Sequence, residues 1–245
     1  MSPRVTVATA VRVLLQLRHD PRTLALLVVI PCLLLTLIKY AFTGQPGTFD
    51  RIGGPLVGLF PLILMFLITS ITMLRERTTG TLERLMTMPL AKLDLLGGYG
   101  LAFALVAAAQ AAIVAAFAFL VLDLDTAGSP ALVVVLAIAN ALLGMSLGLF
   151  TSAFARTEFQ AVQFMPAFVL PQLLLCGLFV ARDQMSGLLE AISWALPMTY
   201  AYDALDRVTT DGSLGGDGVA DLVVTVGATL LALVVGSMTL RRRTA

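Results

Sequence analysis

The chain has 245 residues, of which 58% are hydrophobic and 13% charged, with a formal net charge of +1. That composition excludes an ordinary soluble domain and fits one integral membrane domain over residues 1–245. The near balance of Lys+Arg and Asp+Glu gives no sign of a nucleic-acid partner, and Cys32 and Cys176, both in apolar runs, read as small buried hydrophobes.

Residues 2–19 predict an amphipathic helix. Thr9, Arg12, Gln16 and His19 recur on one side, with Val7, Val11, Leu14 and Leu17 towards the other. Too polar to span, this helix is expected at the membrane surface. Asp20-Pro21 ends it. The first apolar run starts near Leu24 with no small-residue cleavage site after it, so a span rather than a leader is expected.

Six runs approach the roughly 20 residues that a bilayer core requires. They are Leu24–Phe42, Pro55–Leu74, Tyr99–Leu122, Ala131–Phe154, Gln160–Val180 and Val219–Leu240. All should be helical, because lipid offers no partner to backbone amides and no barrel-like alternation is present. Gly44 to Gly47, Gly128 to Pro130 and Gly212 to Gly218 are turn-rich connectors.

Between the second and third spans lies the one long charge-dense stretch, RERTTGTLERLMTMPL, from Arg75 to Leu90. Thr79 or Thr81 can cap a helix carrying Glu83 in its first turns. Gly80 loosens the chain before that helix and Pro89 stops it. A short helix outside the membrane follows, in a segment covering residues 75–97. Having no chemistry of its own, it calls for a soluble partner.

With the N-terminus in the cytoplasm, six spans return the C-terminus there. The inner segments then hold Arg4, Arg12, Arg18, Arg22, Arg75, Arg77, Arg84, Lys92, Arg156 and Arg241 to Arg243. The outer ones hold only Lys39, Arg51, Arg182 and Arg207. Twelve against four is a firm positive-inside bias. The outer segment 181–218 carries an apolar stripe of Met185, Leu188, Leu189, Ile192 and Trp194 to Leu196. That pattern suits a short helix dipping into the outer leaflet, with Trp194 at interfacial depth.

No phosphate-cradling G-x-x-x-x-G-K-[ST] loop, zinc-binding H-E-x-x-H or cysteine pair occurs, and His19 is the single histidine. No catalytic residue, cofactor or metal is therefore expected in this chain. The span interiors lack Asp, Glu and Arg, and Lys39 can snorkel, which argues against ion-coupled carriage. Polar span residues include Gln110, Asn140, Ser146, Thr151, Gln160, Gln163 and Gln172. Gln110, Asn140, Gln163 and Gln172 are candidates for a substrate pathway; interhelical hydrogen bonding is the plainer role. Gly144 and Gly148, spaced G-x-x-x-G, can mark a close helix contact.

Two motifs together resemble the ABC-2 type transporter permeases, in particular the drug-resistance and antibiotic-exporter group. RERTTGTLERLMTMPL is similar to the family's E-x-x-x-G-T-L-E-x-L segment through Glu76, Gly80, Thr81, Leu82, Glu83 and Leu85. Leu175 to Leu205 resembles the closing block through Pro197, Thr199, Tyr200 and Asp203 to Leu205. Ala181 and Ser186 depart from positions where the family often has proline, and Asp206 from one where Arg is frequent.

The resemblance implies an all-α membrane fold with six spans, working as a dimer with itself or a sister permease. Each copy would sit on a separate ATPase subunit, which binds the ATP and Mg. Arg75, Glu76, Arg77, Thr78, Thr79, Gly80, Thr81, Leu82, Glu83, Arg84 and Leu85 would form the ATPase-contacting coupling helix. The surface helix, with Val7, Val11, Arg12, Leu14 and Gln16, would lie beside it. The implied activity is export of a lipophilic drug, antibiotic or lipid across the plasma membrane. A non-transporting membrane scaffold and a lipid-modifying membrane protein remain as alternatives, the latter with few candidate catalytic groups.

Overall fold

The computed structural model describes residues 3–45, 47–79 and 92–239. Nine α-helices and one 3-10 turn, with no strand, are present among the described residues. Helix α1 (Pro3–Arg18) matches the predicted surface helix in extent. In α2 (Pro21–Ala41), the Asp20 carboxylate accepts from the Thr23 amide at 3.2 Å and from its hydroxyl at 2.6 Å. This cap satisfies a first-turn donor, and Pro21 fits the first turn because it has no N–H to satisfy.

Helix α3 (Thr48–Thr78) is the central element. Its 31 residues make about 46 Å at 1.5 Å per residue, more than the ~30 Å of a hydrocarbon core. The predicted span Pro55–Leu74 therefore continues at both ends. Arg75, Glu76 and Arg77 belong to its last turn rather than to a separate helix. The short helix predicted beyond Gly80, with Thr81, Leu82, Glu83, Arg84 and Leu85, lies outside the described residues.

Helices α4 (Lys92–Leu120) and α5 (Pro130–Ser152) follow. Helices α5 and α3 approach closely. A Cβ at Gly144 would fall 2.0 Å from the Leu62 carbonyl oxygen, and one at Gly148 would fall 2.4 Å from that of Phe66. Only glycine admits the α3 backbone there, so the G-x-x-x-G pair is a packing seam. Gly98 does the same for α1 on α4, where a Cβ would meet the Thr9 Cβ at 2.4 Å.

Helix α6 (Glu158–Leu175) stops five residues before the predicted span end at Val180, and bends occupy 176–180. Gln160, Gln163, Gln172, Pro166 and Pro171 dilute its apolar character. Five helices, α2 to α5 and α9 (Gly215–Thr239), are long and apolar enough to cross a membrane, and α6 is not among them. Their outward faces carry Leu33, Leu37, Leu105, Ile113, Val135 and Leu230, each at least two-fifths exposed. So much outward apolar surface belongs to a multi-pass membrane protein.

The segment 181–218 holds a 3-10 turn (Arg182–Gln184), α7 (Gly187–Ser193) and α8 (Pro197–Asp211). Helix α8 runs back along the bundle. The Met198 amide donates to Gln172, fourteen residues into α6, and Ala201 accepts from Asn140, ten residues into α5. Gly58 abuts Leu205 and Gly54 abuts Thr209 on α3, and the Ala127 amide donates to the Thr209 carbonyl. Pro197 is thus level with the middle of the bundle, and Asp211 with the end opposite α1.

Candidate functional site

Three consecutive residues close α3, and each reaches a different neighbour. Arg75 donates from Nε and Nη2 to the Glu158 carboxylate at 2.6 and 2.9 Å, on the first turn of α6. Glu76 faces Arg12 of α1 at 3.4 Å and accepts from the Tyr99 hydroxyl of α4 at 2.8 Å. Arg77 donates to the Ser152 carbonyl at 2.8 Å, the last residue of α5. One helical turn is therefore joined to α1, α4, α5 and α6. Successive residues of a helix point about 100° apart, so a run of charges is what such a hub requires.

The electrostatics differ around the hub. Glu76 is 8% exposed, so its charge depends on its partners. Arg12 supplies the opposite charge, hydrogen-bonds the Tyr99 hydroxyl, and lies 5.6 Å from the centre of the Tyr99 ring. Arg75 and Glu158 are about half exposed. Hydrogen bonding to the guanidinium still holds the Glu158 carboxyl below its ordinary range, and in return raises Arg75. Arg77 meets the negative end of α5, where a cation is favoured and an unpaired carbonyl is satisfied.

The structure turns α1 differently from its sequence pattern. Thr9, Ala10, Val13 and Leu17 are buried, whereas Val7 and Val11 are about half exposed. Leu14 is half-buried and Gln16 exposed. Arg12, on the polar side of the sequence pattern, turns towards the bundle because Glu76 and Tyr99 are there. Val7, Val11 and Leu15 then form an outward apolar stripe.

The proposed pathway residues are dispersed. The Gln110 amide donates to the Leu27 carbonyl at 2.9 Å, joining α4 to α2. Asn140 donates to the Ala201 carbonyl at 3.0 Å. Gln172 donates to Phe168 within α6 and accepts from Met198 at 3.4 Å. Gln163 is exposed on α6.

Helix α8 brings charge into the bundle. Arg182 pairs with Asp203 at 2.6 Å while lying 4.3 Å from the centre of the Trp194 ring, and Arg207 pairs with Asp221 at 3.3 Å. Asp203 is 7% exposed. The sequence predicts one short helix dipping into the outer leaflet over 181–218; the structure has a second, more buried helix there, α8. The missed signal is the spacing of Met198, Ala201, Leu205 and Val208, all buried and three or four apart. Tyr99 and Glu158 were also missed as site residues, because their partners are far away in sequence. Among the described residues no three His, Cys, Asp or Glu side chains gather as a metal site would need.

Comparison with known proteins bears on this arrangement. The family model described as "ABC-2 type transporter" matches residues 4–208. The chain is 28% identical over 153 residues to a probable multidrug ABC transporter permease, YbhR, of Escherichia coli K12, covering 62% of this chain and 42% of that protein. It is 25% identical over 171 residues to ABC transporter G family member 20 of Dictyostelium discoideum, covering 69% of this chain and 23% of that protein. The chain thus spans less than half the length of either relative.

Proposed function

Because the chain belongs to the ABC-2 type transporter family, we propose that it is the membrane permease subunit of an ATP-driven exporter, paired with a separate ATPase and with a second permease copy. Its frame is six spans, with α6 as the fifth, both termini in the cytoplasm and residues 181–218 on the outer side. The ATPase supplies the ATP and Mg chemistry. The chain supplies the path and the mechanical response.

The observation that carries this reading is the hub at the end of α3. Residues 75–85 are the ATPase-contacting segment, and Arg75, Glu76 and Arg77 stand where that segment meets the spans. A force on the segment acts at once on α1, α4, α5 and α6. It also travels along α3, whose other half packs on α8 through Gly54 and Gly58. A packed interface of this kind moves as a body rather than deforming continuously. Movement at the ATPase side is thereby delivered to the opposite half of the bundle, where α8 and its Arg182–Asp203 pair lie.

The transported class is lipophilic: a drug, an antibiotic or a lipid. The multidrug name of one relative supports it. The test is co-purification: the tagged chain should bring down a nucleotide-binding subunit with a Walker loop, and the pair should hydrolyse ATP. Isolation of an ATPase-free chain that transports substrate would contradict the proposal.

A further inference from the structure

At the α1 end, a cleft of about 460 Å³ opens between α1, α2 and α3. Its lining is graded. Asp20, Thr23, Arg75 and Glu76 stand at the end nearest the hub, while Leu26, Ile30, Leu64 and Ile68 line the deeper part. From Arg75 to Leu64 is eleven residues of α3, about 16 Å at 1.5 Å per residue. Half of a ~30 Å hydrocarbon core is the same length. The gradient therefore has the polarity and depth of one leaflet.

We propose that this cleft is a phospholipid site whose occupant is zwitterionic, of the phosphatidylethanolamine type, with its phosphate at Arg75 and its ammonium at Asp20. The charges decide the headgroup. Arg75 gives Nε and Nη2 to Glu158, which leaves Nη1 for a phosphate oxygen. Asp20 is held ionised by the Thr23 hydroxyl and amide, its carboxyl lying below the ordinary range. Glu76 also lines the cleft, but its charge is met by Arg12, which leaves Asp20 as the acid facing the occupant. A purely anionic headgroup would bring its charge beside Asp20, whereas a headgroup carrying both signs finds a partner in Arg75 and in Asp20. An acyl chain along Leu26, Ile30, Leu64 and Ile68 buries apolar surface that the protein leaves open.

The site adjoins the hub, so its occupant stands against the turn that joins the spans to residues 75–85. This inference rests on the membrane-embedded reading of the chain but needs no ATPase. A chain that binds the lipid yet fails to recruit an ATPase would uphold the site and remove the exporter reading.

The experiment is native mass spectrometry of the full chain, purified in detergent after exchange into nanodiscs of equimolar phosphatidylethanolamine and phosphatidylglycerol. Wild type should retain phosphatidylethanolamine in preference. Ile68→Trp, which fills the apolar part, should lose it by about tenfold or more. Asp20→Asn keeps an N-capping residue but removes the charge, and it should abolish the preference for phosphatidylethanolamine. Leu26→Trp, on the opposite wall, takes the place of Ile68→Trp if that variant fails to fold. Four results would overturn the proposal: equal retention in both Trp variants, no headgroup preference in wild type, loss of self-association with lipid unchanged, or displacement of the lipid by tetraphenylphosphonium. The third would make a second copy the occupant, and the fourth a lipophilic cation.

Discussion

Glu76, in the last turn of α3, accepts a hydrogen bond of 2.8 Å from the hydroxyl of Tyr99, near the start of α4. Arg12 faces the same carboxylate from α1 at 3.4 Å. Removing the acid leaves the Arg12 guanidinium without its counter-charge and the Tyr99 hydroxyl without its acceptor, whereas removing the hydroxyl takes one acceptor from Arg12 but leaves the ion pair in place. Glu76→Ala should therefore cost about 1.5–3 kcal/mol, and Tyr99→Phe nearer ~1 kcal/mol. Thermal unfolding of the purified variants in one detergent measures both, and equal losses would contradict the ranking.

The α3–α5 seam makes a second prediction. Gly144→Ala puts a methyl group 2.0 Å from the Leu62 carbonyl oxygen, which is backbone and cannot swing aside. The variant should be destabilised by about 1–3 kcal/mol or more. Gly227→Ala on α9 meets nothing within 4 Å and should be neutral, or gain up to about 1 kcal/mol from helix propensity. Similar melting of the two variants would refute the seam.

Acid response follows from Glu158. Its carboxyl titrates below 4.5 because Arg75 stabilises the charged form. A depressed folded pKa contributes stability above the unfolded value, and that contribution disappears as pH falls through the folded one. Loss should therefore appear only below about pH 4.5, towards the lower folded value. Both partners are about half exposed, so the pair is worth no more than ~1 kcal/mol. Glu158→Gln should remove that acid limb from the stability–pH curve while changing stability little at neutral pH. A large loss at neutral pH would contradict the screened pair.

Much of this was legible in the sequence, for definite reasons. Long apolar runs announce helices because lipid leaves the backbone no other partner: α2, α5 and α9 lie within about four residues of their predicted spans, while α3 and α4 each begin seven residues earlier. Gly144 and Gly148 announced a close contact through their spacing. The face of α1 was not legible, because Arg12 turns inward only to meet Glu76 and Tyr99, residues 64 and 87 positions away. Helix α8 was hidden by its own charge. Asp203 and Arg207 read as solvated until their partners on the 3-10 turn and α9 are known. Helix α6 stops at Leu175 although apolar residues continue to Val180, and composition alone does not mark that stop.

Orientation makes a further prediction. In intact cells, single cysteines at Thr87 and Thr244 should resist a membrane-impermeant thiol reagent, and one at Ser213 should label, in a background with Cys32 and Cys176 replaced. Labelling at Thr87 from outside would invert the frame on which the ATPase-facing segment depends.

The central claim is that residues 75–85 dock an ATPase and pass its motion to α3. Leu82 and Leu85, three apart, can share one face, and burying each completely in a groove would contribute about 1.5–3 kcal/mol. The decisive measurement is ATPase co-purification and ATP-dependent transport by the double variant Leu82→Asp with Leu85→Asp, beside a charge swap at Arg156. The account predicts that the double variant inserts in the membrane normally but loses the ATPase or uncouples its hydrolysis from transport, while the Arg156 swap does far less. A double variant that binds its ATPase and transports like the wild type would contradict it.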